Sequence, residues 1–259
     1  MTQPTLTERL STPGLLGAGA AGADALRGLL GPAPHPRCVG AVGVALALPR
    51  LAALVDVARV EGLPADIAAS VAKRRLSFIA GRLCAEHALR RLGIVGAVGR
   101  GAEREPRWPA DVLGTITHTD ATACAMVAPA EGGGRDYARY GLGIDSQTIV
   151  DAAGLEAVLS VCCTAAERGP LLAGFAVEER ALVGTIVFAL KEAFYKAVHP
   201  TVLRFVDFDE LEVLAVDLGA GRAVLRPCVP ELAPREPFEG RFTVVEGEVH
   251  ALVELHRGR

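Results

Sequence analysis

Apolar and polar positions along this chain fall into two rhythms. Leu51–Val60 and Pro64–Leu92 repeat apolar residues at helical spacing, the second stretch opening near a proline and closing at Gly93. Val39–Leu48 alternates small and β-branched residues and predicts a first strand, and Asp111–Thr119 and Thr122–Ala128 predict two more. Pro129–Tyr140, with Gly132-Gly133-Gly134, reads as a loop leading to a strand over Gly141–Asp145. Helical spacing returns at Asp151–Leu159, Thr164–Leu172 and Val177–Val198, with Thr164 and Glu167 spaced as a capping box. Beyond Pro200, Glu210–Asp217, Arg222–Pro227, Phe238–Val245 and Glu248–His256 read as strands, hairpin-linked through Gly219-Ala220-Gly221 and Glu246-Gly247. Helix followed by strands occurs once before Asp145 and again after it, the order of an α+β chain.

At 259 residues, 51% of them hydrophobic and 22% charged, the chain has the mix of a globular protein with a real core. The division expected is a Gly/Ala/Pro-rich segment at 1–36, partly ordered from residue 12 on, an N-terminal lobe at 37–140 and a C-terminal lobe at 141–259. A net charge of −3 with no basic stripe argues against a nucleic-acid binder driven by counterion release. Met1–Ser11 lacks the apolar core of a secretory signal, and no stretch approaches the length of a membrane span, so no membrane partner is expected. Cys38, Cys84, Cys124, Cys162, Cys163 and Cys228 form no Cys-x-x-Cys pair and no zinc spacing, which fits reduced thiols in the cytoplasm.

The chemistry gathers in two segments. Gly143-Ile144-Asp145 reads as an apolar strand end delivering a carboxylate, and Lys191-Glu192-Ala193-Phe194-Tyr195-Lys196 as a helix carrying a carboxylate between two lysines. Phe188, Glu192 and Lys196 share a helix face, with Lys191 about 100 degrees round from Glu192. Taken alone, Glu192 and Lys196 are an ordinary solvated i,i+4 pair. Taken with Asp145, they suit a hard cation holding a polyphosphate: magnesium takes one or two protein carboxylates plus substrate phosphates, and lysines serve the other phosphate oxygens. Upstream, Arg74 and Arg82 lie eight apart and project at similar angles, within reach of one anion.

Lys73-Arg74-Arg75…Phe78…Gly81-Arg82, Pro106-Arg107-Trp108-Pro109, Thr115-Ile116-Thr117-His118, Gly143-Ile144-Asp145 and Lys191-Glu192…Lys196, in that order, resemble the motifs of the 4'-phosphopantetheinyl transferases, in the branch of the enterobactin- and surfactin-type enzymes. The resemblance runs from about residue 40 to about residue 225. It implies two like α+β lobes with the active site in the cleft between them. It also implies transfer of the 4'-phosphopantetheine arm of coenzyme A to a serine of an acyl or peptidyl carrier protein, with Mg2+ and release of 3',5'-ADP. By motif position Asp145 and Glu192 are the metal ligands, and Glu192, or a water it orients, takes the serine proton. Lys191 and Lys196 contact phosphates, Lys196 also serving the leaving oxygen. His118 and Arg74 (or, in register, Arg75) with Arg82 hold coenzyme A phosphate. A length like that of the surfactin-type enzymes implies a monomer. Trp108 reads as a core or turn anchor, and Arg104 and Arg107 as one rim for a carrier protein.

One position departs from the pattern. Where the family often reads Gly-Ile-Asp-x-Glu, this chain has Asp145-Ser146-Gln147, one negative charge fewer, with the Gln147 amide or a water expected in the third metal position. That substitution keeps open a non-catalytic relative that binds coenzyme A or a carrier protein. An unrelated magnesium-dependent phosphate-binding enzyme is the other class. A P-loop and a nucleophile elbow are both missing from the sequence.

Overall fold

The computed structural model describes residues 26–130, 139–232 and 236–256, together with Leu6 and Leu10. The Gly132–Gly134 loop and residues 12–25 of the expected lead-in segment lie outside the described residues. The chain divides into two compact units, one of Cys38–Pro129 with the described residues before Pro34, the other of Pro34–Arg37 with Ala130 onward. Among the described residues no helix is long and apolar enough to cross a membrane.

The N-terminal unit is a four-stranded antiparallel sheet in the order β1-β2-β6-β5, formed by β1 (Leu30–Pro32), β2 (Val42–Ala47), β5 (Val112–His118) and β6 (Thr122–Pro129). A separate short pair joins β3 (Gly99–Arg100) to β4 (Pro106–Arg107). α3 (Ala72–Arg91) lies across β2, β5 and β6 and buries Ile79, Leu83, Ala85 and Leu89 on them. It ends where expected: Gly93 takes a positive φ of 79°, and the Ile94 amide returns to the Leu89 carbonyl. The single helix expected over Pro64–Leu92 is instead two, α2 (Ala65–Ala68) and α3. The Ser70 hydroxyl bonds back to the Ile67 carbonyl at 2.7 Å and Val71 is extended, which breaks the ladder between them. Likewise the helix expected over Leu51–Val60 is α1 (Leu48–Leu54), because the Asp56 carboxylate accepts the Ala58 amide at 3.0 Å and turns the chain. Trp108 packs on the core of this unit and over Gly114, the anchoring role the sequence predicts.

The C-terminal unit is a five-stranded antiparallel sheet in the order β7-β11-β10-β9-β8. Its strands are β7 (Arg139–Thr148), β8 (Leu211–Asp217), β9 (Arg222–Pro227), β10 (Phe238–Val245) and β11 (Glu248–His256). β7 runs past the expected Asp145 because β11 continues to pair with it as far as Thr148. α4 (Ala152–Cys162), capped by Asp151, and α5 (Ala165–Ala173) precede α6 (Arg180–Val202), which packs mainly on β7 and β11. Half the expected capping box forms. The Thr164 hydroxyl accepts the Glu167 amide, while the Glu167 carboxylate turns into the core instead of back to the cap.

Candidate active site

In the C-terminal unit two glycines decide how near α6 comes to β7. A Cβ on Gly143 would stand 1.8 Å from the Ala193 carbonyl oxygen, and one on Gly141 2.6 Å from that of Ala197. Backbone meets backbone there, and only glycine leaves the room. The close approach sets Glu192 and Lys196, one turn apart on α6, beside Asp145 on β7. Asp145 is 3% exposed, and its carboxylate is engaged on both oxygens. Lys196 Nζ donates to Oδ1 at 2.7 Å and to the Ile144 carbonyl at 3.1 Å, and Gln147 Nε2 donates to Oδ2 at 2.7 Å. Gln147 thus stands beside Asp145, two positions on along one strand face, with its nitrogen turned to the carboxylate.

Glu192 lies in the same field. Burial first, and then repulsion from Asp145, raise its carboxyl above the ordinary glutamate value, with Lys196 pulling the other way. Two partly desolvated carboxylates sharing one lysine form a donor set short of positive charge. Among the described residues no three of His, Cys, Asp and Glu converge, so the site offers two acids and leaves most positions to other oxygens. That is the share magnesium takes from protein when it also binds phosphates, and the residues fit such an ion.

Lys191, expected on a phosphate, is turned the other way. Its side chain is 1% exposed, the ammonium donating to Glu167 Oε2 at 2.7 Å and to the Phe208 carbonyl at 3.0 Å. Glu167 Oε1 also accepts the Val213 amide at 2.8 Å. The Lys191 charge is balanced inside the unit, where it ties α5, α6 and β8 together and is not turned out to meet a phosphate. Beside it, Glu192, Tyr195, Phe205 and Phe208 line a pocket of about 230 Å³.

In the N-terminal unit a pocket of about 150 Å³ is lined by Arg74, Arg82, Arg100, Arg104 and His118, with Ser77. Ile116 and His118 share a face of β5, and Gly81 of α3 lies where its Cβ would be 2.8 Å from Ile116, so helix and strand end meet closely. Arg74 donates to His118 Nε2 at 3.4 Å, whereas Arg75 reaches back to the Ala68 carbonyl. Arg82 lies over the Phe78 ring and is largely buried, with its Nη1 lacking a hydrogen-bond partner. Burial, then the nearby Arg100, push its pKa down to about 10. A buried guanidinium with a spare donor, beside other cations, is a receptor for an anion.

Arg100 belongs to none of the sequence motifs, and Arg104, by sequence a rim for a carrier protein, lines this pocket. The short β3–β4 pair around Gly101 brings both to this pocket, where Asp66 takes Arg100 through two bonds of 2.5 and 2.8 Å. Gly99-Arg100-Gly101 followed by Pro106 was the available signal for that hairpin.

The chain is similar to known proteins over both units. Residues 63–128 match the 4'-phosphopantetheinyl transferase N-terminal domain, and residues 141–243 match the 4'-phosphopantetheinyl transferase superfamily. The chain is 36% identical over 191 residues to 4'-phosphopantetheinyl transferase Svp of Streptomyces mobaraensis, covering 71% of this chain and 74% of the relative. It is 35% identical over 199 residues to 4'-phosphopantetheinyl transferase PptT of Mycobacterium tuberculosis, covering 73% and 82%. Enterobactin synthase component D of Salmonella typhimurium is 33% identical over 125 residues, 48% of each chain.

Proposed function

This chain belongs to the 4'-phosphopantetheinyl transferase superfamily, and from that premise we propose that it transfers the 4'-phosphopantetheine arm of coenzyme A to a serine of an apo carrier protein. The observation that carries the reading is the set of Asp145, Glu192 and Lys196, two acids and one cation held together by α6 on β7. Asp145 and Glu192 are the residues that would hold magnesium. When bound, the ion supplies charge neutralisation across the pyrophosphate.

The carrier serine oxygen attacks the β-phosphorus of coenzyme A. Its bond to phosphorus forms as the bond to the bridging oxygen breaks, and 3',5'-ADP leaves with that oxygen. Glu192 takes the serine proton, a role that a carboxyl raised by burial and by Asp145 performs better than an ordinary one. Lys196 is a point charge for phosphate oxygens and for the leaving oxygen. Arg74, Arg82 and His118, with Arg100 and Arg104, bind the 3'-phosphate of coenzyme A, for which the unpartnered Arg82 Nη1 is a donor. The reading includes a monomer acting in the cytoplasm, where six cysteines without a disulfide are at home.

The test is the intact mass of an apo carrier protein after incubation with this protein, coenzyme A and magnesium. Gain of one phosphopantetheine arm, lost in Glu192→Ala, is the expected result. Unchanged mass across acyl and peptidyl carriers, with coenzyme A still bound, would replace the transferase with a relative that binds without transferring.

A further inference from the structure

A second polar group lies on the opposite face of β7 from the Asp145 carboxylate. Strand side chains alternate in direction, so Ser146 points away from Asp145 and Gln147. Its Oγ is 3.0 Å from Nδ1 of His250, the cross-strand partner on β11, and 3.2 Å from Nε2 of His35. The same His35 Nε2 is 3.3 Å from the backbone carbonyl of Asp145. His35, Ser146 and His250 are all more than nine-tenths buried. His35 arrives on the short segment Pro34–Arg37, which is fastened to β10. The Thr243 hydroxyl donates to the Pro34 carbonyl at 2.6 Å, and Arg241 to the Arg37 carbonyl at 2.5 Å.

The Asp145 carbonyl allows a consistent order of hydrogens through this group. A carbonyl only accepts, so His35 carries its hydrogen on Nε2 and gives it to Asp145 and Ser146. His35 Nδ1 is then a bare acceptor, and it is buried without a hydrogen-bond partner. Ser146 gives its own hydrogen to His250 Nδ1, which leaves the His250 hydrogen on Nε2, 3.9 Å from the Glu248 carboxylate. Burial favours the neutral rings that this order requires.

We propose that His35 is a positioning residue for Asp145. Through its Nε2–H it fixes the Asp145 peptide from behind, and so sets the direction in which the carboxylate leaves β7 toward Lys196 and Glu192. The proposal rests on the reading of Asp145 and Glu192 as magnesium ligands. With Gln147 beside it in place of an acid, Asp145 is the one carboxylate β7 offers there, and its direction has no substitute.

Manganese(II), followed by electron paramagnetic resonance on the full chain without coenzyme A, tests this. Asp145→Asn is expected to abolish binding, and His35→Leu to weaken it about tenfold, as loss of an outer hydrogen-bond partner does at metal sites. His35→Gln, whose amide N–H reaches the same carbonyl, recovers most of the affinity, although both His35 variants lower the melting temperature alike. Equal binding by wild type and His35→Leu overturns the proposal, as does a His35→Gln no better than Leu. If Asp145→Asn binds manganese like wild type, the magnesium reading fails by itself. Positioning is then decided by transfer kinetics: a lower kcat in His35→Leu with unchanged KM for coenzyme A supports it, and an unchanged kcat overturns it. Should His35→Leu not fold, His35→Met, which fills the space without an N–H donor, is read by the same outcomes.

Discussion

Asp145 is provided with partners on both oxygens; Glu192 is the acid left short. A carboxyl raised in the folded state binds its proton more tightly there than in the unfolded chain, so its stabilising share is full below the unfolded value and is lost as pH climbs through the folded one. In metal-free protein that share is therefore expected to fall from the ordinary glutamate range upward, so that Glu192→Gln gains urea stability on wild type as pH rises. Added magnesium should narrow that pH-dependent difference. Parallel slopes for the two proteins, measured by urea melts in EDTA, would remove the raised carboxyl from the account. Gln147→Glu tests the same charge balance from the other side. A third carboxylate should lower the half-saturating magnesium concentration for transfer about tenfold, because ligand charge sets affinity at such sites. The metal-free variant should melt below wild type. At this scale the sequence brought out Asp145, Glu192 and Lys196, which the fold sets side by side, and Arg74, Arg82 and His118, which line one pocket. It was silent on His35 and His250, since a histidine in an apolar strand or a Pro-rich turn shows its partner only after the chain has folded. It misdirected on Lys191, since lysines flanking one glutamate look alike until packing turns one inward.

At the scale of elements, the close fit of α6 on β7 is what assembles the acids, and the glycines of β7 permit it. Gly143→Ala drives a methyl into the Ala193 carbonyl, which is backbone and has no rotamer to escape by. A cost of about 3 kcal/mol is expected, at the upper end for overpacking, together with loss of manganese binding. Gly174→Ala is the control: nothing lies within 4 Å of its Cβ and its φ is −80°, so it should be neutral or slightly stabilising. Thermal melts of both variants decide. The buried Lys191–Glu167 pair binds α5 and β8 to the same helix. Lys191→Met leaves Glu167 charged in the interior and should cost about 3–5 kcal/mol. Lys191→Met with Glu167→Gln should recover much of it, because the neutral amide still accepts the Val213 amide hydrogen. An additive double variant in urea melts would mean that the pair is not coupled. The strands of the C-terminal unit were legible almost to the residue: Arg222–Pro227, Phe238–Val245 and Glu248–His256 stand as their alternation predicts. Helix ends were less so at Ser70 and Asp56, where one short polar side chain competes with the helix for a backbone group, an effect that apolar periodicity does not register. β1 was missed because Leu30-Gly31-Pro32 is too short for a pattern and becomes a strand only by pairing with Val44–Leu46.

For the molecule as a whole, each unit has its own apolar core, and the buried histidines are unevenly shared between them. His35 and His250, both in the C-terminal unit, are lowered from 6.5 to about 3 and about 4, chiefly by burial. For such groups the unfolded chain takes protons that the native protein refuses. Their stabilising share is present above pH 6.5 and is lost as pH falls through the folded values. At about 1.4 kcal/mol per pH unit the loss reaches several kcal/mol for the two together, a large part of what holds a domain folded. In the N-terminal unit His87 is also lowered, but it is too exposed for its shift to translate into comparable stability. Acid should therefore weaken the C-terminal unit first. The chain's single tryptophan, Trp108, belongs to the other unit, which makes the asymmetry measurable in one sample. In urea melts from pH 7 to pH 4, the far-UV circular dichroism midpoint should fall ahead of the Trp108 fluorescence midpoint, and the gap should widen as pH drops. Coincident midpoints at every pH would show that the protonation of His35 and His250 does not govern how this protein yields to acid.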